Sequence, residues 1–519
     1  MSLLYGDWSF RVAFVGYLTV VIAVGIFACW LTRNLSDYVL GGRRLGGAVA
    51  ALSAGASDMS SWLLMGLPGA IYLNGLNNIW VSLGLVIGAY FCWRLVAKPL
   101  RIYSEVANDS VTIPAYLDNR FQDSGKHIRV ISAFAVLVFF IFYIAAGLYA
   151  GGILMQKTFD LTYLQGLAAS TVIIMLYTSV GGFLAVSWTD FFQGTLMLIC
   201  LLIVPYFAAQ GLGGTEQVIH IVSDRHPNYF SWTHGLSVMK LISLLAWGLG
   251  YFGMPHILVR FMSVKTVKEI PLARRVCMNW MTLSLIAAMA VGVVGAAKFC
   301  DCPLDNHETV FIVLSEQIFS PWMMGIILAA ILSSSMCAID SQMLAASSAL
   351  TEDLYRAILN PKASQKQLVW IGRLTVGFIA AVSIYIAQAG QESIMDLVSF
   401  AWAGLSSTFG PAIVLSLFWE RTTKKGVVWG MCLGMFTVLS WRFFDLKNLF
   451  PILKDVYEIL PGNLLGLLGV FLGSVLDQKP DPKIIEQFRT VKSICDQDNQ
   501  KKQGEKTDDQ AKSSIILPA

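Results

Sequence analysis

The sequence predicts an all-α polytopic membrane protein with thirteen transmembrane helices. Three observations carry this. Of the 519 residues, 56% are hydrophobic and only 13% are charged, against about a quarter charged in soluble chains. The apolar residues gather into runs long enough for a helix to cross a bilayer, which takes about 20 residues. The loops between those runs alternate in basic charge. Such a chain is not a secreted globular enzyme, a disordered polypeptide or a nucleic-acid binder. Its net charge of +4 is too small to imply an anionic partner.

The runs are 8–31, 46–72, 75–98, 128–156, 161–181, 187–209, 237–259, 273–298, 320–350, 368–388, 395–419, 426–446 and 460–477. The first lacks a basic flank and an A-x-A site and is long enough to span, so it reads as a span and not a cleaved leader. Residues 478–519 are polar with few large apolar side chains, which predicts a disordered or loosely helical appendage.

Loop charge sets the orientation. Basic residues follow span 1 (Arg33, Arg43, Arg44), span 3 (Lys98, Arg101, Arg120, Lys126, Arg129) and span 7 (Arg260, Lys265, Lys268, Arg274, Arg275). They follow spans 9 and 11 as Arg356, Lys362, Lys366, Arg421, Lys424 and Lys425. The alternate loops are neutral, as at Asn74 to Asn78, or acidic, as at Asp301, Asp305, Glu308 and Glu316. This puts the N-terminus outside and the C-terminus in the cytoplasm.

No phosphate-binding loop or nucleophile elbow is present, and His307-Glu308 lacks the second histidine of a zincin. The chain reads as a non-enzyme without a cofactor. The nine cysteines show no disulfide or zinc spacing. Cys300 and Cys302 form a C-x-C in a polar loop, open to a redox or metal role or to chance placement.

Two spans are interrupted. Span 2 carries Ala51-Leu-Ser-Ala-Gly-Ala-Ser-Asp-Met-Ser-Ser-Trp62, then Gly66, Pro68 and Gly69; span 7 carries Ala246-Trp-Gly-Leu-Gly-Tyr-Phe-Gly-Met-Pro255-His256. Irregular backbone at membrane depth is tolerated where it lines a cavity or lies inside the protein. The breaks open two five-span blocks, spans 2–6 and 7–11. Paired breaks in corresponding positions point to an inverted-repeat secondary transporter with its substrate near the midplane; glycines serving close helix packing are the alternative. Asp58, Asp190 and Asp340 lie within apolar spans, each at a cost of roughly 2.5–3.5 kcal/mol at a helix centre. Such groups usually face a polar pathway. Asp190 is close to a cytoplasmic end, where a capping role also fits.

Five strings carry a resemblance. They are Tyr38-Val-Leu-Gly-Gly-Arg-Arg; Leu52-Ser-Ala-Gly-Ala-Ser-Asp-Met-Ser with Trp62-Leu-Leu-Met-Gly-Leu-Pro-Gly-Ala; Gly181-Gly-Phe-Leu-Ala-Val-Ser-Trp-Thr-Asp190; Trp247-Gly-Leu-Gly-Tyr-Phe-Gly-Met-Pro-His; and Thr351-Glu-Asp-Leu-Tyr355. In this order, over roughly residues 35–420, they resemble the sodium/solute symporter family. The resemblance implies a five-helix inverted-repeat (LeuT-type) core and ion-driven uptake across a bacterial inner membrane. It divides the chain into an outer helix and first cytoplasmic loop (1–45), a first repeat (46–209), a second repeat (210–420), peripheral spans (421–477) and a cytoplasmic polar tail (478–519).

Carried onto this sequence, the family's substrate positions fall on Tyr143, Trp247, Tyr251 and Pro255, with Ser60 and Trp62 as further candidates. These suit proline, a small zwitterion with an apolar ring: aromatic faces pack the ring and attract the ammonium, and amides at the broken helices hold the carboxylate. Tyr143 also fits an ordinary packing role in its aromatic run. The family's sodium site combines the carbonyls of Ala56, Met59 and Ser334, beside Asp58, with two adjacent hydroxyls. Those hydroxyl positions fall on Cys337 and Ala338, neither of which supplies the oxygen a hard cation prefers. Asp340 stands on the same helix where the family usually has small or hydroxyl residues, and Asp190 resembles a position tied to a second cation site. Three readings follow: a relocated sodium site of Asp190, Asp340 and Ser341; proton coupling through Asp340; or a local structural hydrogen bond. The expected partners are a small-molecule substrate, proline first, and membrane lipid, with no nucleic acid. A transporter for another small zwitterion, a transporter-like sensor module and a channel are the other functions considered.

Overall fold

The computed structural model describes residues 8–29, 40–180, 182–388 and 393–514. Arg33, Tyr38, Val39 and Gly181 of the strings and loops above lie outside them. Among the described residues the regular structure is helical, with one isolated bridge between Leu45 and Val264.

Nine described helices are long and apolar enough to cross a membrane, or ten if a bent pair, Val238–Phe252 with Pro255–Ser263, is one span. The count is below thirteen for a physical reason. Runs 46–72 and 75–98 fall in one consecutive helical stretch, Gly47–Val106, which is interrupted at Ser60 and turns at Gly75 with φ +78. Trp8–Val24 and Tyr163–Met175 are apolar but shorter.

In chain order, α1 is Trp8–Cys29 and α2 is Gly47–Ser61; a wide π-helical turn, Trp62–Gly66, leads into α3, Leu67–Asn74. Next come α4 (Ile79–Phe91), α5 (Ala97–Val106), α6 (Ile113–Phe121), α7 (His127–Phe159), α8 (Tyr163–Val180), α9 (Phe183–Gly211) and α10 (Thr215–Arg225). The second half holds α11 (Val238–Leu245), a 3-10 segment at Ala246–Phe252, α12 (Pro255–Ser263), α13 (Ile270–Lys298), α14 (Val310–Glu316), α15 (Pro321–Ser348) and α16 (Gln365–Gln388). It closes with α17 (Ile394–Phe418), α18 (Lys424–Phe443), α19 (Leu446–Leu449), α20 (Ile459–Leu476) and α21 (Pro482–Ser514).

Helix starts follow local chemistry. The hydroxyls of Thr112, Ser237, Ser393 and Thr423 accept N–H groups that begin α6, α11, α17 and α18. Pro255 begins α12, where its missing N–H is not needed. The two interrupted helices sit at the centre. The α2 helix packs against α9, α12, α13 and α15, and the 3-10 segment packs against α4 and α17.

Of its two expected forms, disordered or loosely helical, the tail takes the helical one. Residues 482–514 form α21, with Ile484, Phe488 and Val491 buried. Lys98 reaches the Cys495 carbonyl at 2.9 Å and Asp498 at 3.0 Å, and Arg489 pairs with Glu420 at 2.8 Å. A narrow stripe of three apolar side chains, assisted by ion pairs, is enough to seat a helix on the ends of the bundle.

Candidate functional site

The first break is local and strained. Ser53, Ser57, Asp58, Ser60 and Ser61 are all buried on α2. Ser60 takes φ 42 and ψ −165, outside helical geometry. A non-glycine residue there costs about 1–3 kcal/mol and persists only where its surroundings enforce it. The Trp62 N–H turns back to the Met59 carbonyl and to Ser60 Oγ at 3.4 Å. Asp58 therefore sits in the last turn before an interruption.

The second break has a different origin from the one the glycines suggest. Gly248, Gly250 and Gly253 all keep negative φ. They serve contact: a Cβ on Gly248 would strike the Gly84 backbone, and one on Gly250 would strike the Trp402 indole. The unwinding is a 3-10 segment followed by extended Met254, at φ −84 and ψ 106, before Pro255 restarts the helix with a 45° bend.

The breaks face each other. Tyr251 donates its hydroxyl to Asp58 Oδ2, and Tyr143 donates to the Asp58 carbonyl at 3.0 Å. The Trp62 and Trp247 rings lie 6.3 Å apart. The structure thus gathers Asp58, Ser60, Trp62, Tyr143, Trp247 and Tyr251 into one buried cluster, while Pro255 lines a cavity. Sequence reading missed two supports. Trp402 donates Nε1–H to the Trp247 carbonyl at 2.7 Å and meets the Tyr251 ring edge-on at 5.3 Å; Tyr457 stacks on Trp247 at 5.3 Å. Neither carries a signal that distinguishes it from a packing aromatic.

The proposed ion side holds a second cluster. Ala56, Met59, Ser334, Cys337, Ala338, Asp340 and Ser341 are buried on α2 and α15. Ser334 turns its hydroxyl back to the Ile331 carbonyl at 2.6 Å, and the Cys337 thiol lies 2.9 Å from Gln193 Oε1. Cys337 stands in electrostatic range of both Asp190 and Asp340. Asp190 accepts from Ser53 Oγ at 2.7 Å and pairs with Arg260 at 3.0 Å, with side-chain exposures of 0% and 2%. Arg260 corrects the loop-charge reading. It belongs to the last turn of α12, where the bent helix carries it inward, and not to a solvated loop. The signal available was its spacing of four from His256, which places both on one helix face.

A small cavity of about 30 Å3 is lined among others by Pro255, His256, Arg260, Ser341, Ser348 and Asp353. Cys300 and Cys302 are free thiols, and no cluster of three or more potential metal ligands of the His, Cys, Asp or Glu type occurs among the described residues.

Residues 38–434 match the sequence profile of the sodium:solute symporter family. A sodium/proline symporter of Salmonella typhimurium strain LT2 is 43% identical over 483 residues, covering 92% of this chain and 95% of the relative. A high-affinity proline transporter, PutP, of Bacillus subtilis strain 168 is 44% identical over 479 residues, covering 92% of this chain and 100% of the relative. Among solved structures, a Na+-coupled sialic acid symporter in a substrate-bound outward-open state superposes with TM-score 0.78 at 18% identity, over 92% of this chain and 99% of that one. A nucleobase-cation-symport-1 family transporter bound to bromovinylhydantoin gives 0.54 at 12% identity, over 89% and 100%. At these identities the structural likeness speaks to fold alone.

Proposed function

Because the chain belongs to the sodium:solute symporter family, we propose that it is a secondary active symporter that imports L-proline on a cation gradient. The observation that carries the reading is the meeting of two broken helices at Asp58, inside a box of Trp62, Tyr143, Trp247 and Tyr251. Relatives named for proline transport share 43% and 44% of their residues with this chain, which supports proline as the cargo.

The box suits that cargo. Indole and phenol faces offer the pyrrolidine ring apolar area and its ammonium a negative π surface. Unwound backbone at Ser60 and Met254 supplies amides for the carboxylate. The cation is transported, not resident. Asp58 lowers the cost of bringing it to this depth, with the carbonyls of Ala56, Met59 and Ser334 as further oxygens. Asp190, Asp340 and Ser341 make a second acidic station.

The helices support an arrangement of thirteen spans: an outer one, repeats at 46–209 and 210–420, and peripheral spans to 477, in a bacterial inner membrane. Basic loops put the N-terminus outside and α21 in the cytoplasm. Nothing in this scheme calls for enzymatic chemistry or a cofactor.

Sodium is the family's ion. One observation favours protons instead: Cys337 and Ala338 bring no hydroxyl, and the Cys337 thiol is engaged with Gln193. Purified protein in liposomes decides. Proline uptake is followed under a sodium gradient at fixed pH and under a pH gradient without sodium. Saturable uptake, competed by proline analogues, is expected. Uptake that is neither saturable nor competed removes proline as the cargo. Full uptake without sodium, lost in Asp340→Asn, assigns protons. Strict sodium dependence that survives Asp340→Asn takes Asp340 out of the mechanism.

A further inference from the structure

We propose that Arg260 is a tethered cation: it occupies the Asp190 carboxylate in the ion-free protein, separates it from the cavity, and is displaced by the arriving coupling ion. The inference rests on the symport reading for what the ion does, and on the following geometry for how.

The guanidinium is fully engaged in the protein interior. Nε donates to Ser53 Oγ at 2.8 Å, Nη1 to the His256 carbonyl at 2.5 Å, and Nη2 to both Asp190 Oδ2 at 3.0 Å and Ser341 Oγ at 2.5 Å. Its face lies 5.6 Å from the Phe183 ring. These partners come from α2, α9, α12 and α15. One planar fork therefore ties both interrupted helices to two unbroken ones. A lysine, with a single nitrogen, cannot make that set of bonds.

Position gives the fork its second property. Arg260 and Ser341 line the cavity, whereas Asp190 does not. Arg260 both lines the cavity and bonds Asp190, so the guanidinium stands beside any ion that passes between the two. The same nitrogen bridges Asp190 Oδ2 and Ser341 Oγ, so two of the oxygens that would serve a relocated ion site already face a positive charge.

Electrostatics makes the two cations alternatives. A carboxylate at this depth with no counter-charge is strongly unfavourable. Asp190 therefore needs a cation at every stage of a cycle. When the coupling ion takes Oδ2, Arg260 loses its anion and is repelled by the newcomer; when the ion leaves, Arg260 returns. Since the fork also bonds α2 and α15, its displacement loosens those helices from one another at the moment of ion arrival. Ion binding is thereby converted into helix movement.

The test is equilibrium binding of radiolabelled sodium to the purified full-length protein, alongside radiolabelled proline uptake in liposomes. Arg260→Gln removes the competing charge. Sodium binding is expected to tighten at least tenfold while the maximal uptake rate falls at least tenfold, because the ion is no longer expelled. Arg260→Lys keeps a charge but loses the fork, and binding is expected to tighten about threefold. A folded Arg260→Gln protein that binds sodium as wild type does, or more weakly, overturns the proposal. If that variant does not fold, unchanged affinity in Arg260→Lys overturns it. A purely structural arginine lowers uptake without tightening sodium binding. The two readings fail separately: wild-type protein that takes up proline but binds no sodium overturns the tethered cation and leaves the cargo standing. Absence of proline uptake, with sodium binding that tightens in Arg260→Gln, does the reverse.

Discussion

Asp58 and Asp190 are both buried carboxylates on membrane-depth helices, and they are held in opposite ways. Asp58 accepts from a neutral phenol, Tyr251, and no cation pairs with it among the described residues. Asp190 sits on a guanidinium and a serine hydroxyl. A charge without a fixed counter-charge is a place where a mobile cation is stabilising. A charge with one is a place where a mobile cation must compete. Under the proposed symport, the difference fits Asp58 to attraction and Asp190 to exchange, a distinction that their similar apolar flanks in the sequence do not reveal.

Neutralising Asp58 should have the largest effect. Asp58→Asn keeps the shape and the Tyr251 contact but removes the charge. Proline uptake is expected to fall by about a hundredfold or more, on the order of 3 kcal/mol at the transport barrier. A variant that transports at the wild-type rate with unchanged ion dependence would make Asp58 structural and erase the contrast with Asp190.

The aromatic side of the same region comes next. Trp247→Ala removes a face that meets Trp62 and stacks on Tyr457. Losing one cation–π contact costs about 1–2 kcal/mol, so proline affinity should weaken roughly five- to thirtyfold. Thermal stability should change less, because the Trp402 bond is to the backbone carbonyl of Trp247 and survives the substitution. Stability loss that matches the affinity loss would make Trp247 a packing residue.

Rebuilding oxygen ligands is a subtler test of the ion side. Cys337→Ser with Ala338→Thr supplies the two missing hydroxyls. If sodium is the coupling ion, its half-saturating concentration for uptake should fall three- to tenfold, since a hard cation prefers oxygen to a thiol. An unchanged sodium requirement, with uptake still driven by a pH gradient, would favour the proton reading.

Much of this was legible before any coordinates. Composition and run length carried the helical membrane class, and the paired breaks carried the place where Asp58, Tyr143, Trp247 and Tyr251 come together. What was not legible has particular physical reasons. Arg260 looked like loop charge because a bent helix carries its last turn inward, and charge counting has no term for a bend. The span 7 glycines looked like helix breakers, yet they serve backbone approach to Gly84 and avoid the Trp402 indole. Trp402 and Tyr457 lie far from Trp247 in sequence, so only folding reveals the shared stack. In the tail, Ile484, Phe488 and Val491 recur at spacings of four and three, a helical stripe hidden in a polar composition.

A third carboxylate extends the comparison, and its effect falls on stability and not on transport. Glu308 lies in the turn before α14, buried, with Oε1 accepting the Ile394 N–H at 2.9 Å at the start of α17. Its partners are neither phenol nor guanidinium but backbone amides. Burial pushes its pKa from 4.5 up to about 7, against the pull of the Ile394 and Met395 N–H groups, with Asp396 nearby adding to the rise. The sign follows from proton counting. Below about pH 4.5 both folded and unfolded chains hold the proton, and Glu308 gives no pH dependence. Between there and about 7 the unfolded chain releases it while the folded chain keeps it, so stability falls as pH rises and levels off above. The slope is at most about 1.4 kcal/mol per pH unit. Glu308→Gln keeps a neutral acceptor for the Ile394 amide and cannot ionise. Detergent-purified Glu308→Gln should therefore lose this part of the slope between pH 5 and 7, and melt above wild type at pH 7 while matching it near pH 4.5. Parallel melting curves for the two proteins across that range would show that amides at a helix start hold a carboxylate ionised, and would place Glu308 beside Asp190 as a charge with fixed donors.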